Sequence, residues 1–239
     1  MISISPNQLK SKIIELSTRI DNNRYHDINR YQDNIYSISE LIYCLAKSYH
    51  YRVLKEQPII NGKMLSGTLF HTLIPDILSD YSDELDYERE CFKDYNDYKI
   101  IGHADAVDKD TVYEFKYTAS KLNGNLPFYY YMQANAYSVL LDRPYYQVIL
   151  VNSYTLDVNI IKGKQDPDAF AFIEKQAEDL HNAIKEKKIP KGPMYKWECS
   201  YCQFKHICPN KNKEVLSDER FGGSNGKVDK GESGKANEA

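Results

Sequence analysis

Apolar positions in the first third of the chain recur at helical spacing. Leu9, Ile13, Leu16 and Ile20 fall at steps of four, three and four, one stripe of an amphipathic helix within residues 7–30. Ser37-Ile38-Ser39-Glu40 then precedes Leu41-Ile42-Tyr43-Cys44. Ser37 with Glu40 makes a capping-box pattern, and Ser39 is the alternative cap. The helix that follows carries Cys44, Lys47, His50 and Arg52. Another helix is predicted from Lys63 to Leu73, limited by Pro75, with Gly67 and His71 on one face.

The period then changes. Lys99 to Val107 and Thr111 to Thr118 are rich in β-branched and aromatic residues, with Asp108-Lys109-Asp110 between them, a β-hairpin pattern. Pro127 opens a helix over Phe128 to Leu141 as its first-turn proline. Tyr146 to Ser153 is an apolar strand, and Leu156 to Ile161 its expected partner. Phe170, Ile173, Ala177, Leu180 and Ile184 follow helical spacing. From Gly222 to Ala239 there are glycines and charges and no aromatics, the composition of a disordered tail. No internal repeat is visible.

Composition refines this picture. A chain of 239 residues, 42% hydrophobic and 27% charged, can bury a core without disulfides. Net charge is −3, so nucleic-acid binding would depend on local basic patches. Two strips qualify, Lys47, His50, Arg52 and Lys55, and Lys185, Lys187, Lys188, Lys191 and Lys196. Either also reads as a solvated charge run. Tyrosine, with 21 copies against 8 phenylalanines, can fill a core or stack on bases. No apolar run approaches the roughly 20 residues of a membrane span, and the N-terminus lacks a secretory pattern. The expected location is therefore cytoplasmic, where clustered cysteines point to metal binding more than to disulfides.

The hairpin can be counted across. With Lys109 and Asp110 as a two-residue loop, Asp108 faces Thr111, Asp105 faces Glu114 and His103 faces Lys116. Glu114 and Lys116 alternate onto one side of their strand, while Phe115 and Tyr117 mark the other face as core. Opposed residues hold their Cβ atoms about 5 Å apart, where two carboxylates repel unless a cation or proton intervenes. Mg²⁺ or Mn²⁺ prefers such hard oxygen ligands and can polarise a phosphate and acidify a water. Lys116 would orient that water or stabilise developing charge. Gly102 precedes the acidic position, where close approach would help. His103 lies on the carboxylate face and could compete for it.

Cys199-Ser200-Tyr201-Cys202 and Cys208 hold three thiols in a short span. A tetrahedral site needs a fourth ligand, His206 locally or Cys44 remotely. Four thiolates suit Zn²⁺ or a [4Fe–4S] cluster, and spacing does not separate the two. Cys91 stands apart and reads as structural.

Taken in order, these features resemble the CRISPR-associated RecB-type exonucleases, the iron–sulfur branch of the PD-(D/E)xK nucleases, over residues 37–209. The resemblance rests on Cys44 after a Ser-Glu-Leu helix start and on Gly67-x-x-x-His71. Gly102 to Asp105, Glu114-Phe115-Lys116, Gln133 with Tyr137, and the terminal cysteines continue it. It implies an α/β fold, a central mixed sheet flanked by helices, with a helical iron–sulfur part built from N- and C-terminal segments. The expected layout is a nuclease domain at 37–216, flanked by an N-terminal helical extension at 1–36 and a tail at 217–239 that the resemblance does not cover. It further implies that Asp105, Glu114 and Lys116 are catalytic, with His71, Asp105, Glu114 and the Phe115 carbonyl holding Mg²⁺ or Mn²⁺. Gln133 and Tyr137 would contact DNA, and Cys44, Cys199, Cys202 and Cys208 would hold a [4Fe–4S] cluster. The expected activity is hydrolysis of DNA from single-stranded ends, 5′ to 3′, in CRISPR spacer acquisition or viral DNA processing. CRISPR adaptation proteins and further copies of the chain are the expected protein partners. The competing expectation is a catalytically silent iron–sulfur or zinc DNA-binding protein.

Overall fold

The computed structural model describes residues 31–79, 84–119 and 126–211. The helix expected within residues 7–30, the glycine-rich tail and the side chain of Lys196 lie outside the described residues. Six strands form one mixed sheet: β1 (Ile35–Ser37), β2 (Asp86–Asp94), β3 (Lys99–Val107), β4 (Thr111–Thr118), β5 (Tyr145–Asn152) and β6 (Val158–Lys164). The helices are α1 (Ile38–Leu41), α2 (Leu45–Leu54), α3 (Gly62–His71), α4 (Ile74–Ser79), α5 (Phe128–Leu140) and α6 (Pro167–Lys185). A 3₁₀ turn follows at Lys196–Ser200.

Strand β3 organises the sheet. One edge carries β2, antiparallel, from Lys99 to Val107. The other edge is shared: β1 pairs in parallel with Lys99 to Ile101, and β4 pairs antiparallel with Ala106 and Val107 alone. Between these two partners the β3 edge is left without a strand. Strand β4 turns away to run parallel to β5 along its whole length, and β6 closes the sheet antiparallel to β5. Central β5, Tyr-Tyr-Gln-Val-Ile-Leu-Val-Asn, is apolar almost throughout because both its faces are covered.

Helices α1, α2, α5 and α6 cover one face, around Ile38, Ile100, Val112, Met132, Val148, Ile173 and Leu180. Helix α6 buries Phe170, Ile173, Ala177 and Leu180, the stripe read from the sequence. Asp166 caps it, accepting from the Ala169 N–H, with Pro167 in the first turn. A smaller cluster on the opposite face joins Ile74 to Phe115, Ile149 and Val151.

Four sequence expectations are corrected. The helix after the capping box is two helices: Ser37 and Glu40 do form the box on α1, but the chain breaks and α2 restarts with Cys44 as its N-cap. Pro75 does not limit the helix before it. Helix α3 ends at His71, and Pro75 lies in the first turn of α4, where its missing N–H costs nothing. The basic strip on α2 is not a surface strip. Arg52 is 5% exposed and donates to both oxygens of Glu40 and to the Gln32 and Ile35 carbonyls. His50 is also buried. Strand β1 begins at Ile35 as part of the main sheet, so the sheet reaches into the segment expected to be an extension.

Candidate active site and cysteine cradle

The turn Asp108–Thr111 is closed by the Asp108 side chain, which accepts from the Asp110 and Thr111 N–H groups. The resulting register pairs Ala106 with Tyr113 and Val107 with Val112, the register counted from the sequence. One step further the ladder opens. The Phe115 N–H donates to Asp105 Oδ2 at 2.7 Å in place of a backbone partner. Asp105 Oδ1 in turn lies 2.8 Å from His71 Nδ1, at the end of α3. The notch between β1 and β4 thus gathers the carboxylate pair and the histidine. His103 pairs with Glu90 on β2.

Glu114 points its Oε1 at Lys116 Nζ, 2.6 Å away, and its buried Oε2 has no hydrogen-bond partner. Lys116 is also held by Gln133 Oε1 at 2.9 Å, and Gln133 Nε2 donates to the Tyr137 hydroxyl at 2.9 Å. Gln133 and Tyr137 are therefore buried on α5 and reach the site through Lys116. Tyr137 also explains Gly102. A Cβ there would collide with the Tyr137 ring and crowd Ile38, so the close approach belongs to a side chain of the core.

The charges are unequal by construction. Burial raises the Asp105 carboxyl, but His71, Lys116 and the Phe115 N–H outweigh it and hold the group below the usual carboxylate range. Glu114 is pushed up to about 8, first by burial and then by the Asp105 charge, against the pull of Lys116. Glu88, at φ 51 between paired residues of β2, adds to that repulsion. Burial lowers Lys116, but Glu114 and Asp105 more than offset it, so it stays an ammonium at neutral pH. A buried carboxylate oxygen without a partner, beside a second carboxylate and an imidazole, fits a hard divalent cation.

Cys44, Cys199, Cys202 and Cys208 line one cavity together with Lys47, His50, Pro193, Glu198, Lys205 and Lys211. Cys44 comes to this cavity from the remote part of the chain, while His206, the local candidate, is exposed and bonds the Gln203 carbonyl. The buried His50 Nε2 on this wall has no hydrogen-bond partner. Gly192 backs the cavity so tightly that a Cβ would lie 2.6 Å from Cys44 Sγ. All five cysteines are free, and burial pushes the Cys44 thiol up to about 12. Such a thiol would be a ligand only with a cation to displace its proton. The donors suit a thiophilic metal or cluster, yet neither place is a finished shell. Among the described residues no group of three or more His, Cys, Asp or Glu is arranged to hold a metal ion as it stands.

Sequence reasoning missed Glu198. Its Oε1 accepts from the Cys44 N–H at 2.7 Å, and its Oε2 from the Met194 and Tyr195 N–H groups at 2.8 and 2.7 Å. A glutamate beside a cysteine carries no sequence signal for this, because its partners lie on another segment. Cys91 is buried in β2, in keeping with its structural reading.

A model of the PD-(D/E)XK nuclease superfamily matches residues 78–209, over half of the chain. That span holds Asp105, Glu114, Lys116, Gln133, Tyr137 and three of the four cradle cysteines, with His71 and Cys44 before it. No curated protein matches the chain. Among solved structures it is similar to one described as SSO0001, at TM-score 0.68 and 22% identity over 83% of this chain and 96% of that one. It is also similar to an alkaline exonuclease, LHK-Exo, from Laribacter hongkongensis, at TM-score 0.52 and 12% identity over 64% of this chain and 89% of that one. These likenesses show the fold, and the family match over the notch shows the rest: the chain belongs to the PD-(D/E)XK nuclease superfamily.

Proposed function

We propose that this nuclease is a divalent-metal-dependent DNA exonuclease that works from single-stranded ends. The observation that carries the reading is the opened ladder, where buried Asp105 and Glu114 stand beside a Lys116 already fixed by two partners. A Mg²⁺ or Mn²⁺ ion held by His71, Asp105, Glu114 and the Phe115 carbonyl would polarise the scissile phosphate and acidify a water. The chain's own groups do the rest. Asp105, kept ionised, and Glu114, once its proton leaves, supply the negative charge that retains the ion. Lys116 remains protonated, so it neutralises charge on the phosphate oxygens and does not act as a base. Gln133 and Tyr137 aim Lys116, acting on DNA through it. The buried surroundings exclude water and strengthen each of these interactions.

The cavity of four cysteines supports a [4Fe–4S] cluster at Cys44, Cys199, Cys202 and Cys208, with Zn²⁺ as the other thiophilic occupant. The resemblance supports 5′-to-3′ polarity, a cytoplasmic location, partnership with CRISPR adaptation proteins, and a role in spacer acquisition or viral DNA processing. The test offers circular and linear single-stranded DNA, labelled at either end, with Mn²⁺. An exonuclease degrades the linear strand and spares the circle, and the 5′ label leaves first if polarity is as proposed. Cleavage of the circle would reject exonuclease action.

A further inference from the structure

We propose that Trp197 forms a stacking shelf for an unpaired base of the nucleic acid whose phosphate lies at Lys116. This deepens the nuclease reading and rests on it. A ladder of rings leads out of the notch. Lys116 Nζ lies 5.3 Å from the centre of the Tyr130 ring, Tyr130 is 4.5 Å from Tyr129, and Tyr129 is 6.0 Å from Trp197. Tyr129 and Tyr130 are half-buried, and Trp197 at the far end is 46% exposed.

The indole is held as a shelf would be. Its back rests on the buried Tyr195, 5.9 Å away and nearly parallel at 10°. Tyr43 and Tyr129 meet it edge-on at 77° and 65°. Three protein rings thus brace the indole, and the residue still stays open to solvent. The backbone beneath is pinned, because Glu198 ties this turn to Cys44, Met194 and Tyr195. A ring fixed before binding loses little entropy when a base stacks on it.

The surroundings favour a polyanion over an apolar partner. Tyr201, 73% exposed and four residues on, carries Lys63 over its ring at 5.8 Å. Lys47, Lys205 and Lys211 lie along the adjoining cavity wall. These cations stand out in a chain of net charge −3. Aromatic rings interleaved with lysines, starting from a catalytic lysine, match the chemistry of a strand with its bases unstacked. A duplex keeps its bases stacked on each other and cannot use the shelf.

Trp197 is the only tryptophan, so its own fluorescence reports the contact. The probe is an oligothymidylate of about 15 nucleotides, added to Glu114→Ala protein in Mg²⁺ so that no cleavage intervenes. The expected result is saturable quenching by the single strand and little by a blunt duplex of the same length. By anisotropy of a labelled strand, Trp197→Ala in that background should weaken binding roughly 5- to 100-fold. Trp197→Phe, which keeps a ring, should retain most of it, and an unchanged melting temperature in both variants excludes a folding defect. No quenching, or a Trp197→Ala variant that binds as its parent does, overturns the shelf. If wild type still cuts the oligonucleotide in that event, the nuclease reading survives; if it cuts no DNA, that reading falls separately.

Discussion

In the notch, Asp105, Glu114 and Lys116 come from two adjoining strands and are already tied to one another, to His71 and to Gln133. Around the cysteines, the partners are 154 residues apart, and a carboxylate, Glu198, does the tying. The first arrangement follows from a turn and a register, so it exists as soon as the sheet forms. The second brings together four thiols, with Cys44 pushed upward by burial and by Glu198. It gains from folding only when a cation takes those protons away. On the proposed reading, an ion at the notch would be a consequence of the fold, and an ion or cluster at the cysteines would contribute to it.

Removing one donor from each region should have opposite effects. Glu114→Ala should lower cleavage at least about 10³-fold while the protein melts as wild type or higher, since a buried, repelled carboxylate has been removed. If its melting temperature instead fell like that of a core variant, the notch would not be independent of its ligands. Cys199→Ala should show the reverse, with a melting temperature lower by roughly 5–15 °C and the remaining folded fraction still active. A fully stable Cys199→Ala protein would show that the cysteine cavity does not contribute to folding.

A smaller effect is expected one layer back. Gln133→Leu frees Lys116 from one of its two partners, and a cation misplaced by about 1 Å costs on the order of 10²-fold in kcat. DNA affinity measured by anisotropy should stay within about twofold. A loss of affinity at unchanged kcat would return Gln133 to the role of a direct DNA contact.

The gentlest test is pH. Glu114 is raised from 4.5 to about 8, so between those values the folded, ion-free protein keeps a proton that the unfolded chain has lost. That term favours folding at the acid end of the window and is gone once pH passes about 8. Binding a divalent ion must expel the same proton. Calorimetric titration with Mn²⁺ should therefore show apparent affinity falling by up to about tenfold per pH unit below 8. Glu114→Gln should flatten the profile. A profile that stayed steep in that variant would place the proton elsewhere.

What could be read from the sequence divides along the same line. The hairpin was legible because a two-residue loop at Lys109 and Asp110 sets the register from one count, which holds for Val107 with Val112 and Ala106 with Tyr113 before the ladder opens. The amphipathic stripe of α6 was legible for the same local reason. Strand β2 was not, because Asp-Tyr-Glu-Arg-Glu-Cys-Phe-Lys-Asp carries charges on both faces and buries only Cys91. Arg52 looked like a surface cation because its partners, Glu40 and two carbonyls, are set by how α2 folds back. Glu198 and the ring ladder were hidden likewise, being contacts between segments with no common period. Cys44 was paired with the later cysteines by family resemblance, and the shared cavity is where the structure brings them together.

On the proposed function, Asp105, Glu114 and Lys116 form one metal-dependent hydrolytic centre. Cleavage of end-labelled single-stranded DNA in Mg²⁺, Mn²⁺ or EDTA, by wild type, Glu114→Ala and Lys116→Ala, tests it most directly. Wild type should cleave with either ion and not in EDTA, and both variants should lose cleavage while remaining folded. Cleavage in EDTA, or variants that cut as well as wild type, would contradict it.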